Sequence, residues 1–109
     1  MLERNEQTIC AISTPHGVGG IAVIRVSGKN ALNIVKKVSP KLQKTPSINS
    51  HQAYFSALID QTQHKVDEVV LTYFAEGKSF TGEETIEISC HGSVFITQQI
   101  LDLLIFHRL

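Results

Sequence analysis

Ile21-Ala22-Val23-Ile24-Arg25-Val26-Ser27 is the stretch on which the fold class turns. Branched side chains at Ile21, Val23, Ile24 and Val26 are stiff at χ1 and pack well on a pleated surface, and glycines stand on both sides. A strand is predicted over Ile21–Ser27. Before it, Thr14-Pro15-His16-Gly17-Val18-Gly19-Gly20 is a turn-forming loop, and Thr8–Ser13 predicts an earlier strand. After it, Ser27 or Asn30 offers a helix cap. Ala31, Ile34, Val35 and Val38 then recur at helical spacing, with Lys29, Asn33, Lys36 and Lys37 outside. Ser39–Ser50, with Pro40 and Pro46, predicts a loop. His51–Asp60 and Val66–Phe74 predict a hairpin around Gln61–Lys65, and Glu76–Glu83 a further loop. In Thr85–His91 the residues Ile86, Ile88 and Cys90 alternate with Glu87, Ser89 and His91, a half-buried strand. Gly92 breaks it. Ser93 caps a last helix, Val94–His107, whose expected buried stripe is Phe95, Ile96, Ile100, Leu103 and Leu104. The order β-β-α-β-β-β-α predicts an α+β fold, a mixed or antiparallel sheet with two helices.

Composition narrows the function. The 109 residues are 42% hydrophobic and 18% charged, which predicts a single globular domain over 1–109. Val94–Phe106 holds Thr97, Gln98, Gln99 and Asp102 and is too short and polar to span a bilayer. No basic n-region precedes an apolar core at the N-terminus. Cys10 and Cys90 stand 80 residues apart, neither a disulfide framework nor a metal spacing, which fits a reducing cytoplasm. The zero net charge hides an asymmetry. Residues 1–59 carry seven Lys/Arg against two Glu, and residues 60–109 carry three against eight Asp/Glu, so the halves are +5 and −5. Such an imbalance reflects either complementarity within the domain or a basic surface around the first helix that faces a polyanion or an acidic partner.

Gly17-Val18-Gly19-Gly20-Ile21-Ala22 spells G-x-G-x-x-A, but a strand follows where a dinucleotide site needs a helix N-terminus. No G-x-x-x-x-G-K-[ST] occurs, so this chain has no P-loop. Cys90 and His91 alternate to opposite faces and have no C-x-x-C partner, so neither a metal set nor a Cys-His nucleophile pair is expected. Arg25 and Glu87 stand out, each a charge in the middle of a strand. Such a charge is either on a solvated face or desolvated and paired. Facing one cleft, the two suit a planar heterocycle: a carboxylate accepts from an amino-pyrimidinone edge, and Arg offers a rigid fork to a carbonyl or carboxylate.

Two long motifs carry a resemblance. Thr8-Ile9, Ala11-Ile12-Ser13-Thr14-Pro15 and Gly17-x-Gly19-Gly20-Ile21-Ala22-Val23-Ile24-Arg25-Val26-Ser27-Gly28 resemble the opening of the MnmE (TrmE) family of tRNA-modification GTPases. Ser79-Phe80-Thr81-Gly82-Glu83-Glu84-Thr85-Ile86-Glu87-Ile88-Ser89-Cys90-His91-Gly92 resembles the family's second signature. The resemblance runs from Thr8 to about Leu104. It implies an N-terminal domain similar to the folate-binding domain of aminomethyltransferases. It further implies binding of 5-formyltetrahydrofolate with Arg25 and Glu87 as contacts, and homodimer formation. Helical and GTPase domains, with their GTP, Mg²⁺ and K⁺, follow in the family. The whole protein works with the flavoprotein MnmG at carbon 5 of the wobble uridine of tRNA. A further family contact, a lysine, falls after Leu109. Val18 replaces the family's loop arginine, and Ser93 its second glycine after the histidine. Phe106-His107-Arg108-Leu109 departs from the turn expected there and looks truncated. The competing reading is a cofactor-free domain that binds RNA or protein through its basic half. With 6% aromatics and none among Lys29–Lys44, no base-stacking platform is visible. A complete small enzyme would need a nucleophile–base pair, a metal set or a phosphate loop, and the sequence displays none.

Overall fold

The computed structural model describes residues 8–13, 20–78 and 82–107. The loop Thr14–Gly19 with Val18, and Ser79–Thr81 at the head of the second signature, lie outside the described residues. The order is β1 (Ile9–Ile12), β2 (Ile21–Ser27), α1 (Ala31–Lys36), α2 (Pro40–Lys44), β3 (Gln52–Ile59), β4 (Lys65–Phe74), β5 (Thr85–His91) and α3 (Val94–Phe106). The five strands form one sheet in the order β1-β2-β5-β4-β3, and every neighbouring pair is antiparallel. The fold is α+β, with an antiparallel sheet and three helices where the sequence predicted two.

One face of the sheet is packed. Ile12, Ile24, Ile88, Leu71 and Tyr54 are register partners across all five strands. Ile24, Ile88 and Leu71 are 0–1% exposed. They join Ile34, Val35, Leu42, Ile100 and Leu104 from the helices in one core. Period-2 alternation leaves the next row, Ala11, Arg25, Glu87, Thr72 and Ala53, on the opposite face.

The extra helix replaces part of the predicted loop. Ser39 caps α2, its Oγ accepting from Leu42 N at 3.1 Å, and Pro40 fills a first-turn position where no N–H is needed. Leu42 enters the core, and the Ser39 hydroxyl, fully buried, bonds that of Ser56 on β3 at 2.7 Å. Proline here starts a helix, because the serine before it caps and the leucine after it packs.

Two local expectations change. Asn30 stands at the cap of α1 but makes no side-chain cap bond, and the Ser27 hydroxyl donates to Glu83. The α1 N-terminus is met from across the chain: Leu32 N donates to Glu84 Oε1, and Asn30 N to Thr8 Oγ1. Gly28 makes the turn between β2 and α1 at φ 138°, a conformation that side-chain-bearing residues rarely adopt. In α3 the cap Ser93, accepting from Ile96 N, sets a phase that buries Thr97, Ile100, Leu103 and Leu104. Ile96 is partly buried, whereas Phe95, expected inside, is 71% exposed.

Candidate functional site: the open face of the sheet

Arg25 and Glu87 are direct register partners on adjacent central strands. Arg25 Nη2 donates to Glu87 Oε2 at 2.7 Å, with about a third of each side chain exposed. Both charges therefore stand on the open face, side by side, with strands on either flank. Their row ends in two small residues, Ala11 and Ala53, with Thr72 beside Glu87. The row behind is Val23, Ser89, Val70 and Phe55, with Phe55 65% exposed. The result is a shallow floor with a charged centre and an apolar margin.

The pair does not satisfy itself. Arg25 Nε is buried and has no hydrogen-bond partner, the one such side-chain atom among the described residues. A buried unpaired donor is costly, which favours a ligand acceptor that completes the fork. Glu87 uses one carboxylate oxygen on Arg25, and its Oε1 accepts from no described residue. Together they present donors and an acceptor at fixed spacing. That is equipment for holding a polar, planar molecule with an N–H edge next to an acceptor. Burial, and after it the charge of Asp67, pushes the Cys90 thiol up to about 11, so it stays protonated at neutral pH.

The end of β5 holds a pair that sequence reasoning missed. Asp67, 8% exposed, accepts from the backbone N of His91 at 2.9 Å and meets His91 Nδ1 at 2.7 Å. The ring of His91 is mostly exposed. The signal was present: Asp67 occupies the same strand parity as Val69 and Leu71, and a carboxylate at a core position demands partners. Near the other end of the sheet the Tyr73 hydroxyl donates to Glu84 Oε2, tying β4 to the carboxylate that caps α1.

Comparison of the chain with known proteins matches it to a family. The family described as GTP-binding protein TrmE N-terminus matches residues 8–109. The chain belongs to that family. Among relatives, the tRNA modification GTPase MnmE of Bdellovibrio bacteriovorus is 60% identical over 104 residues, covering 94% of this chain and 21% of the relative. The MnmE of Parabacteroides distasonis is 46% identical, over 90% of this chain and 22% of the relative. That of Desulfotalea psychrophila is 41% identical, over 93% and 22%. This TrmE N-terminal chain spans about a fifth of the length of the curated relatives it matches. None of its described helices is long and apolar enough to cross a membrane.

Proposed function

We propose that the chain is a reduced-folate-binding and dimerisation domain of a tRNA-modifying GTPase. The open sheet face is the folate site. The observation that carries this reading is the register pairing of Arg25 with Glu87, with a buried guanidinium N–H left for a ligand acceptor. Glu87 accepts from the N–H edge of the pterin of 5-formyltetrahydrofolate, and Arg25 completes its fork on a carbonyl or carboxylate of the same ligand. The whole protein, in partnership with the flavoprotein MnmG in the cytoplasm, would use the one-carbon unit at carbon 5 of the wobble uridine of tRNA. GTP, Mg²⁺ and K⁺ belong to its GTPase domain.

Thermal denaturation tests the reading. A ligand that binds only the folded state raises the melting temperature. 5-formyltetrahydrofolate should raise it, and GTP should leave it unchanged; a shift with GTP and none with the folate overturns the assignment. The exposed Ile21, Phe55 and Val70 give the sheet an apolar margin to cover, which supports a homodimer. Light scattering at micromolar concentration should give about twice the chain mass, and the monomer mass would remove dimerisation from this domain's role.

A further inference from the structure

The charge imbalance of the sequence has a definite place in the fold. Lys36, Lys37, Lys41 and Lys44 fall on two consecutive short helices, α1 and α2, and the turn between them. Lys37, Lys41 and Lys44 are exposed. None of the four makes an ion pair with a described residue. Both helices pack through Ile34, Val35 and Leu42 into the core, on the side of the sheet away from Arg25 and Glu87. The basic corner is therefore a surface separate from the candidate folate site.

Beside it lies an open cavity of about 180 Å³, whose polar lining is Lys37, Gln43, Asp60, Gln61, Gln63 and His107 beside the apolar Val38, Pro40 and Ile59. Lysine, amides and imidazole are the donors that a phosphate oxygen takes. One oxygen of the acid among them is engaged in its own turn: Asp60 Oδ1 accepts from Thr62 N, Thr62 Oγ1 and His64 N at 2.7–2.9 Å, and the carboxylate keeps its charge. A cluster of unpaired lysines, one of which, Lys37, borders a recess with polar donors, fits a polymer of phosphates. Backbone contacts of that kind need no aromatic platform, because they read charge and spacing, not bases.

We propose that the α1–α2 corner docks the sugar–phosphate backbone of a folded RNA through Lys37, Lys41 and Lys44, with one phosphate seated in the recess beside Lys37. RNA is chosen over an acidic protein on the relatives' printed role in tRNA modification, so the proposal rests on the reading above.

The test is fluorescence anisotropy of a labelled tRNA transcript with the chain, at 50 and 200 mM salt, with polyglutamate as competitor. Release of counterions from three phosphates predicts an affinity about 20- to 40-fold weaker at the higher salt. The triple variant K37Q/K41Q/K44Q should lose at least about tenfold at 50 mM salt, and the corresponding lysine-to-arginine variant should keep most of the binding. Unchanged melting temperature in the glutamine variant shows that the loss is not unfolding. Folate titration of the same samples separates the two readings: lysine-dependent RNA binding without folate binding sustains this proposal and removes the folate site. RNA binding that is absent in the wild type, or unaffected by the glutamine substitutions, overturns it. So does polyglutamate binding more tightly than RNA.

Discussion

Two adjacent rows of the sheet, one residue apart on every strand, have opposite chemistry. Ile12, Ile24, Ile88, Leu71 and Tyr54 form the row under the helices. Ala11, Arg25, Glu87, Thr72 and Ala53 form its neighbour on the open face. The first is filled by side chains whose partners lie within the chain, and its purpose is complete once they are buried. The second leaves a guanidinium nitrogen buried without an acceptor. Stability is concentrated in one row and unfinished hydrogen bonding in the other. A single residue step on a strand separates them, because successive side chains point to opposite faces.

The largest expected effect falls on the packed row. Ile88 is 0% exposed in the middle of the central strand β5. Ile88→Ala removes three carbons from a close-packed site and should cost about 2–5 kcal/mol, seen as a lower denaturant midpoint. A cost under ~1 kcal/mol would mean that the two rows do not differ in kind.

On the open row the order of effects reverses. Arg25→Lys keeps the charge but loses the planar fork, so folate affinity should fall about tenfold or more while the unfolding free energy from denaturant titration stays within about 1 kcal/mol. Full binding by the lysine variant would reduce Arg25 to a source of positive potential.

The smallest effect tests the link at the end of the sheet. Burial first, and then the Glu84 carboxylate it donates to, push the Tyr73 hydroxyl up to about 12 from its ordinary value of 10.0. The folded state thus holds a proton that the unfolded chain releases earlier. Its contribution to stability is complete below pH 10 and lost as pH rises toward about 12. Denaturation across that window should show a shallower decline for Tyr73→Phe than for the wild type; parallel curves would separate the hydroxyl from stability.

The comparison also shows where the sequence was legible. Ile21–Ser27 and Thr85–His91 are strands within the bounds that β-branching and alternation predicted. Alternation also separated Ile86, Ile88 and Cys90 from Glu87. What it could not supply was register. That Arg25 stands opposite Glu87, 62 positions away, depends on how β2 and β5 pair, and no local pattern contains that. The position of the α1 cap, Asn30, was legible, but its hydrogen bond was not, since Glu84 reaches Leu32 through tertiary structure. Two misses were local. The prolines and serines of Ser39–Ser50 predict a loop, although serine before a first-turn proline begins a helix. Hydrophobicity alone places Phe95 inside, whereas the phase set by Ser93 turns it outward.

Calorimetric titration of 5-formyltetrahydrofolate into the wild type and Glu87→Gln, with denaturant midpoints on the same samples, tests the division between the rows most directly. Gln keeps the shape of Glu87 but puts a donor where the ligand's N–H edge needs an acceptor. A hydrogen bond to a charged group contributes about 1.5–3 kcal/mol, so affinity should fall between about tenfold and a hundredfold with the midpoint nearly unchanged. Equal affinities, or a loss of binding matched by a loss of stability as large as that of Ile88→Ala, would contradict the account.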